Sequence, residues 1–275
     1  MEPIETGPFS SSESMESLTT LRVVSWNIAR GAKLDAIIEF LLGADADIIF
    51  LQEADRNARR TGYRNVAREI AQTLELNYVF GCEFEELAQG SRGSPAYHGQ
   101  ATLSRWPLSD NSILRFHSQS NFWQPRWFIP SLRPLQRRCG GRMALLNSLL
   151  IQGRSMATYN LHCESKGNDS LRLCQLDEFL QHAKGYSLDV PVLAAGDFNF
   201  DLSHGEAATA LAKVGFVNPF ATLHRVTTTS HSLSASKRII DWILLRGPLT
   251  ATNPQVHSSV VASDHYPLSL TVSFS

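Results

Sequence analysis

Apolar runs of strand length recur along the whole chain, and most of them stop abruptly at one or two polar residues. The runs Leu21 to Trp26 and Asp47 to Leu51 flank a segment whose apolar residues fall at spacings of three and four. This order indicates strand, helix, strand. Near Gly153 two apolar runs meet at a short turn, which predicts a hairpin. Strands joined partly by helices and partly by hairpins predict two mixed sheets packed face to face, with helices outside.

The same patterns predict the remaining elements and leave no linker that would divide the chain. Helices are predicted at about 64–74, 168–183 and 206–214, and strands at 77–80, 100–103, 190–195, 238–245, 255–261 and 267–274. A length of 275 residues is compatible with a single sandwich domain. We therefore expect residues 21–275 to form one α/β domain.

The first twenty residues differ in composition from the rest. They contain four glutamates, five serines and no lysine or arginine. Such a segment cannot bury enough apolar surface to order itself, so residues 1–20 are predicted to be a disordered tail. The segment also lacks the basic start and apolar stretch of a secretory signal, which favours a cytoplasmic protein.

Composition and cysteine spacing limit the class of protein. The hydrophobic fraction is 43% and the charged fraction 19%, and no stretch approaches 18 uninterrupted apolar residues. The four cysteines have no C-x-x-C spacing, so reduced thiols in or near the core are expected rather than a zinc site or a disulfide framework. They are Cys82, Cys139, Cys163 and Cys174.

Six short polar segments stand at strand ends. In chain order they are Trp26-Asn27, Gln52-Glu53, Asn160-Leu161-His162, Gly196-Asp197-Phe198-Asn199, Ile240-Asp241-Trp242 and Ser263-Asp264-His265-Tyr266-Pro267. Any one carboxylate among them could simply accept backbone hydrogen bonds at the end of its strand. Six such segments are harder to explain as six separate caps. They indicate one polar site assembled from distant parts of the chain.

The residue types in these segments suit phosphate ester hydrolysis. That reaction needs neutralisation of charge on the phosphate oxygens, activation of a water and stabilisation of the leaving oxygen. Mg²⁺ prefers carboxylate oxygens, and an unpaired carboxylate inside an apolar run is costly to bury. The candidate carboxylates are Glu53, Asp197, Asp241 and Asp264. The sequence therefore favours a metal ion and a phosphate at this site.

The six segments, in this order, resemble the motif series of the endonuclease/exonuclease/phosphatase superfamily, the deoxyribonuclease I-like phosphoesterases. The resemblance covers about residues 21–274. It implies a four-layer α-β-β-α sandwich of two packed mixed sheets, with the site at one edge of the sheets. It also implies a Mg²⁺- or Mn²⁺-dependent hydrolase.

The resemblance further implies a role for each candidate residue. Glu53 would be the principal metal ligand, with Asn27 near the metal and Asp264 as a further ligand or a contact to a metal-bound water. Asp197 would orient or deprotonate the attacking water, while Asn199 and His162 would hold the phosphate oxygens. His265 would contact the phosphate or act as acid or base, held by Asp241 through its other ring nitrogen.

Other residues near the motifs allow more than one interpretation. Gln100 stands where similar chains often have asparagine, and is a possible site contact. Glu164 could orient His162 or a substrate group, or could pair with Lys166 or Arg172. The other seven histidines show no pattern of polar partners and are expected to be structural or solvent-facing. They are His98, His117, His182, His204, His224, His231 and His257.

The segment from Asn111 to Cys163 bears on the substrate. It contains no acidic residue, and aromatic residues are interleaved with its arginines. The arginines are Arg115, Arg126, Arg133, Arg137, Arg138, Arg142 and Arg154, and the aromatic residues interleaved with the first of them are Phe116, Phe122, Trp123, Trp127 and Phe128. This mixture suits a nucleic-acid groove, a lipid interface, or a hairpin whose aromatic side chains pack beneath solvated arginines.

We therefore expect a metal-dependent phosphodiesterase that acts by attack of an activated water, with a nuclease as the main possibility. A phospholipid or sphingomyelin phosphodiesterase and a phosphomonoesterase of the same fold are enzymatic alternatives. A catalytically silent binding module is the alternative from another class. The expected partner is a phosphate ester substrate, nucleic acid ahead of a lipid interface, and the expected oligomeric state is a monomer.

Overall fold

The computed structural model of the chain describes residues 4–10, 20–91, 93–123, 138–229 and 237–275. These residues form two β-sheets and four α-helices. The strands of the larger sheet are β1 (Ile4–Gly7), β2 (Thr20–Arg30), β3 (Ile48–Arg56), β4 (Asn77–Ser91), β5 (Ser94–Ser104), β7 (Arg138–Gly140), β13 (Leu249–Val256) and β14 (Leu268–Phe274). The strands of the smaller sheet are β6 (Leu108–Arg115), β8 (Met143–Ile151), β9 (Arg154–His162), β10 (Val192–Asp197), β11 (Phe216–Val217) and β12 (Asp241–Arg246). The helices are α1 (Leu34–Ala44), α2 (Val66–Thr73), α3 (Asp169–Ala183) and α4 (Gly205–Val214).

Both sheets are mixed. The larger sheet has the order β1-β4-β5-β3-β2-β14-β13, with β7 also paired to β4, and the smaller sheet has the order β11-β12-β10-β9-β8-β6. The pair β2 and β3 and the pair β9 and β10 are parallel, and the other described neighbours are antiparallel. Because the parallel pairs end at the same edge, their carboxyl ends bring several polar segments together.

The helices cover the outer faces of the two sheets. Ile37 of α1 and Ile70 of α2 share a buried cluster with Ile49 of β3. On the other side, Phe179 of α3 packs edge-on against Tyr159 of β9, with ring centroids 5.0 Å apart. The apolar inner faces of the two sheets pack against each other between these helix layers. The predicted four-layer α-β-β-α sandwich is confirmed.

The N-terminal tail predicted to be disordered is ordered in part. Ile4–Gly7 forms β1, which pairs antiparallel with β4. Glu5 accepts hydrogen bonds from Asn65 and Tyr78 and forms an ion pair with Arg56 at 2.8 Å. The prediction was wrong for this strand because it considered only whether the tail could build a core, whereas β1 adds to the edge of an existing sheet. Residues 1–3 and 11–19 lie outside the described part of the chain.

Two other expectations need correction. The strand predicted at 255–261 lies instead at Leu249–Val256, and Val261 is exposed. The strands predicted at 77–80 and 100–103 extend into the long hairpin formed by β4 and β5. Their apolar pattern is broken by Glu83, His98 and Gln100, which are polar but fully buried. None of the helices in the described ranges combines the length and the apolar character needed to cross a membrane.

Candidate active site

Three predicted site residues lie side by side at one edge of the smaller sheet. Asp197, the last residue of β10, stands opposite His162 of β9 and opposite Asp241 of β12. Adjacent strands are about 4.8 Å apart, so the strand register alone brings these side chains together. All three are buried. The strand-end positions in the sequence thus correspond to a real cluster.

The glycine before Asp197 makes this close approach possible. Gly196 has a φ of 149°, and a Cβ atom on it would lie 1.9 Å from the carbonyl oxygen of Leu161. Any other residue would push β10 away from β9. The G-D-F-N segment therefore contains one residue that shapes the backbone and two that carry polar side chains.

Asp197 lies at the centre of the cluster. Its Oδ2 atom accepts a hydrogen bond from Asn27 Nδ2 at 3.1 Å. The Nε2 atoms of His162 and His265 lie 3.8 and 3.7 Å from the same Oδ2 atom. Its Oδ1 atom accepts a hydrogen bond from the backbone N–H of Asn199 at 2.9 Å. One carboxylate therefore stands between two imidazole rings.

His265 is held from behind by Asp241. The Nδ1 atom of His265 lies 2.9 Å from Asp241 Oδ2. Burial alone would lower the pKa of His265, but the charges of Asp241 and Asp197 outweigh burial and raise the pKa to about 10. The loop that carries His265 is fixed by Trp26, whose Nε1–H donates to the backbone oxygen of His265 at 2.8 Å. The predicted pairing of Asp241 with His265 is present in the structure.

His162 has a carboxylate partner that the sequence analysis missed. Its Nδ1 atom lies 3.0 Å from Glu83 Oε2 on β4. Arg142 Nη1 donates to Glu83 Oε1 at 2.5 Å and lies 2.9 Å from both ring nitrogens of His162. Burial raises the pKa of Glu83, but Arg142 and His162 outweigh burial and lower the pKa to about 2. Glu83 is followed by Glu85 and Glu86 in the same strand, so the sequence offered no isolated carboxylate that would have marked it.

Glu53 stands on a distorted part of β3. The pairing between β3 and β5 shifts register between Leu51 and Ala54, and Glu53 has a φ of 56°. Such a bulge aims a side chain away from the regular direction of the strand. Burial raises the pKa of the Glu53 carboxyl, but four positive charges outweigh burial and lower it to about 2. The charges belong to His98, His162, Arg142 and His265.

The chemistry of the donor set fits a divalent cation at Glu53. Among the described residues, no group donates a hydrogen bond to the Glu53 carboxylate. A second group could also hold a metal: Asp197, Asp241 and His265 each offer an atom within 4.8 Å of the others. In that group, however, both ring nitrogens of His265 already face carboxylates. The Glu53 carboxylate can therefore supply the charged oxygen ligand that a hard cation prefers.

The other two residues predicted on the metal side lie in different surroundings. Asn27 uses its amide within the protein, because Nδ2 donates to Asp197 and Oδ1 accepts from the backbone N–H of Ala29 at 3.1 Å. Asp264 is exposed at the rim, where its carboxylate accepts a hydrogen bond from Ser263 Oγ at 3.3 Å. The structure thus places Asn27 against Asp197 and Asp264 next to His265.

Asn199 and Gln100 differ in their relation to the cluster. Asn199 is buried and donates one amide hydrogen to the backbone oxygen of Cys163 at 3.1 Å, which fixes the side chain beside Asp197. Gln100 donates to the backbone oxygen of Met143 at 3.1 Å, between the two sheets. The Oε1 atom of Gln100 is buried and has no hydrogen-bond partner among the described residues, so a contact of Gln100 with the site stays a prediction.

The Glu164 carboxylate is bound by groups other than the side chains of His162, Lys166 and Arg172. Its Oε2 atom accepts a hydrogen bond from Trp123 Nε1 at 2.7 Å, and its Oε1 atom accepts one from the backbone N–H of Lys166 at 3.0 Å. The Arg172 guanidinium donates to the backbone oxygen of Glu164 instead of to the carboxylate. Glu164 therefore links the strand end that carries His162 to Trp123.

His98, one of the seven histidines expected to be structural or solvent-facing, is structural and has polar partners that the sequence did not reveal. The ring is buried, and Nδ1 lies 2.7 Å from Asp55 Oδ1. Arg60 pairs with the same carboxylate at 2.6 Å. His98 also contributes to the positive surroundings of Glu53. The sequence pattern missed it because its partner is on the adjacent β3 strand, two residues after Glu53.

The basic and aromatic segment is divided by the structure. Phe116 is buried in the core, and the Arg115 guanidinium donates to three backbone carbonyl oxygens. Arg142 is committed to Glu83 and His162. Phe116 thus packs inside the protein, as the third interpretation expects, whereas Arg115 and Arg142 are bound within the protein and form neither a nucleic-acid groove nor a solvated outer face. Arg126, Trp127, Phe128, Arg133 and Arg137 lie outside the described residues.

Comparison with known proteins places this arrangement in a family. The model of the endonuclease/exonuclease/phosphatase family matches residues 24–265. The chain belongs to this family. Members of the family hydrolyse phosphoester bonds and are in general dependent on divalent metals. The match confirms the resemblance carried by the six polar segments.

Solved structures agree on the fold at low identity. An endonuclease/exonuclease/phosphatase from Beutenbergia cavernae DSM 12333 has a TM-score of 0.70 and 17% identity, with 94% of this chain and 72% of that chain covered. The human Nocturnin catalytic domain with bound sulfate anion has a TM-score of 0.68 and 16% identity, covering 99% and 98%. A mannosyl-6-phosphatase from Bacteroides thetaiotaomicron VPI-5482 has a TM-score of 0.62 and 15% identity, covering 92% and 100%. No curated protein sequence matches the chain at a significant level.

Proposed function

We propose that this phosphoesterase is a divalent-metal-dependent phosphodiesterase that cleaves nucleic acid. The observation that supports it most directly is the position of Asp197 between two imidazole rings, with Nε2 distances of 3.8 and 3.7 Å from His162 and His265. The free carboxylate of Glu53 lies in the same electrostatic surroundings. This set combines a base, two hydrogen-bond donors for phosphate oxygens and a ligand for a cation.

Asp197 is proposed to accept the proton of the attacking water. Asn27 and the backbone N–H of Asn199 each donate to this carboxylate, which holds it in one orientation. Because this carboxylate is already fixed, it loses little conformational freedom when it orients a water. The rate enhancement expected from Asp197 comes mainly from this positioning. The water oxygen then attacks phosphorus while its proton passes to Asp197.

The two histidines are proposed to bind the phosphate oxygens. Each ring is held at Nδ1 by a carboxylate, Asp241 for His265 and Glu83 for His162, so that Nε2 is directed into the site, where it donates to a phosphate oxygen when the ring is protonated on both nitrogens. Hydrogen bonds from Nε2–H strengthen as charge grows on the phosphate in the transition state. One of the two rings would then supply a proton to the leaving oxygen.

A divalent cation held by Glu53 would neutralise charge on the phosphate and polarise its ester bond. Asp264, at the rim, is proposed to contact this ion through water. Asn27 is proposed to position Asp197 by its hydrogen bond and not to bind the ion. The other charges favour a diester over a monoester. Glu83 and Asp241 already balance much of the charge of Arg142 and His265, so the single charge of a diester is easier to accommodate than the two charges of a monoester.

The proposal is tested by initial rates on two chromogenic substrates, the p-nitrophenyl ester of thymidine 5′-phosphate and p-nitrophenyl phosphate. We expect the wild type to hydrolyse the diester with Mg²⁺ or Mn²⁺ and to lose this activity in EDTA. Glu53→Gln should lower kcat about a hundredfold or more. Glu75→Gln is a matched control, because Glu75 is exposed and has a φ of 55°, close to the 56° of Glu53.

Two results would contradict the proposal. Full activity of Glu53→Gln would show that the site lies elsewhere. A wild-type preference for the monoester would make the protein a phosphomonoesterase, and the absence of turnover on both esters with any divalent metal would make it a silent module.

A further inference from the structure

One aromatic ring beside the site has no role in the chemistry described above. Phe122 lies in a 3₁₀ turn, Asn121–Trp123, and is 49% exposed. The ring of Trp123 stands perpendicular to it, with centroids 5.1 Å apart. Phe116, from the same segment, is buried. Phe122 therefore presents an apolar surface to solvent at a fixed position.

Phe122 is held on one side by a guanidinium group. Arg138 Cζ lies 5.5 Å from the centroid of the Phe122 ring and 4.8 Å from that of Phe84. Arg138 Nε donates to Glu86 at 3.1 Å, which fixes the guanidinium between the two rings. Cation–π contact of this kind orients a ring without covering it completely. None of the described residues covers the exposed half of the Phe122 ring.

A continuous series of contacts connects this ring to the catalytic cluster. Trp123, next to Phe122, donates from Nε1 to Glu164 at 2.7 Å. Arg142 lies over the Trp123 ring, 5.5 Å from Cζ to centroid, and its Nη1 atom is 2.9 Å from the His162 ring nitrogens. The aromatic surface is therefore attached to the His162 side of the site and not to a distant part of the molecule.

We propose that Phe122 is a stacking platform for a nucleobase of a single-stranded nucleic acid whose adjoining phosphodiester occupies the site. This inference rests on the proposed function. Every base has a π-face, so such a platform selects single strands and not a particular sequence. In a duplex both faces of a base are already stacked, so a double-stranded substrate gains nothing from Phe122. The platform therefore gives the enzyme a preference for unpaired strands or frayed ends.

Binding without turnover tests the platform separately from catalysis. Fluorescence anisotropy in EDTA compares a short oligothymidylate with an abasic oligonucleotide of the same length, which keeps the phosphates and lacks the bases. We expect Phe122→Ala to weaken binding of the oligothymidylate about fivefold to about a hundredfold, and to leave the abasic strand unchanged. Phe122→Trp should retain the wild-type affinity. Leu150→Ala removes a 65% exposed apolar side chain on β8 and is the matched control, expected to bind both strands as the wild type does.

Four results would overturn the inference. They are equal affinity of the wild type for both oligonucleotides, equal weakening of both by Phe122→Ala, loss of affinity in Phe122→Trp, and an effect of Phe122→Ala on binding to phosphatidylcholine vesicles but not to oligothymidylate. The proposed function is judged by a different measurement, hydrolysis of the thymidine diester with metal. A protein that hydrolyses the diester but fails the anisotropy test retains the proposed function and loses the platform.

Discussion

The two histidines that flank Asp197 have the same framework and different surroundings. Each has Nδ1 against a carboxylate and Nε2 directed toward Asp197. Behind His265 stands Asp241, whose pKa burial raises. Behind His162 stands Glu83, which also binds the buried Arg142 and has a pKa of about 2. His265 therefore belongs to a compact pair, whereas His162 belongs to a network that extends toward Glu53 and Trp123.

The difference indicates that the two histidines have different functions within one site. The His265 side contains two carboxylates and one imidazole, so its positive charge is local and largely balanced. The His162 side includes a permanent guanidinium charge that a change of pH near neutrality cannot remove. We expect the His162 side to fix the phosphate and the His265 side to exchange protons with it. Substitutions on the two sides should therefore have different consequences.

The largest expected effect follows from removing the carboxylate shared by both histidines. Asp197→Asn keeps the shape of the side chain but cannot accept a proton from water. We expect kcat for the thymidine diester to fall about a thousandfold. The circular dichroism spectrum should be unchanged. A loss of less than tenfold in a folded variant would show that neither the base nor the centre of the site is Asp197.

The next effect distinguishes the two carboxylates behind the histidines. Glu83→Ala leaves the buried Arg142 without its partner, which should lower the free energy of unfolding by about 3–5 kcal/mol. Asp241→Ala leaves His265, which can lose its proton, and should cost about 1–3 kcal/mol. Urea denaturation measures both. Equal losses would show that Arg142 does not make the two sides different.

A double variant provides the control for this comparison. Glu83→Leu with Arg142→Met removes both buried charges together, and well-packed apolar replacements of a buried ion pair are often neutral in stability. We expect stability close to that of the wild type and a clear loss of activity. A double variant as unstable as Glu83→Ala would contradict the attribution of the loss to an unpaired guanidinium.

Acid denaturation should show a smaller effect of the ionised Glu83 carboxylate on stability. The pKa of Glu83 is about 2 in the folded protein against an ordinary value of 4.5. Because the folded-state pKa is lowered, its stabilisation is complete above pH 4.5 and is lost as the pH falls toward about 2. Between pH 6 and pH 3 the wild type should therefore lose about 2 kcal/mol more stability than Glu83→Gln. Parallel curves for the two proteins would contradict the lowered pKa.

The smallest effect concerns the far end of the His162 network. Trp123→Phe keeps an aromatic ring but removes the Nε1 donor to Glu164, which retains a hydrogen bond from the backbone N–H of Ser120 at 3.3 Å. We expect a loss of about 1 kcal/mol in stability and an increase in KM of a few-fold with kcat nearly unchanged. Steady-state kinetics on an oligonucleotide checks this. A fall in kcat with constant KM would indicate a role for Trp123 in the chemical step.

The sequence predicted the His265 side more completely than the His162 side, for a physical reason. Asp197 ends β10, Asp241 begins β12 and His265 precedes β14, so each stands at a boundary of an apolar run and the sequence pattern marks it directly. Glu83 lies within β4, and its role depends on a contact with the other sheet, which no local pattern encodes. The Glu53 carboxylate lacks a hydrogen-bond donor among the described residues because Glu53 stands in a bulge and has a φ of 56°. The apolar pattern of β3 does not reveal this bulge.

The N-terminal tail, residues 1–20, and the basic segment from Asn111 to Cys163 show a second limit of prediction from sequence. Composition describes what a segment can bury by itself, but β1 is ordered by an edge that β4 provides. Likewise, a count of arginines does not separate Arg115, which binds backbone carbonyl oxygens, from Arg138, which lies over exposed Phe122. Tertiary partners decide both cases.

The most direct test of the account is a crystal structure with Mn²⁺ and inorganic phosphate, with data collected for anomalous scattering of manganese. We expect the manganese peak at the Glu53 carboxylate and the phosphate between His162 and His265, within hydrogen-bond distance of both Nε2 atoms. A manganese peak coordinated by Asp197, Asp241 and His265, with phosphate elsewhere, would contradict it.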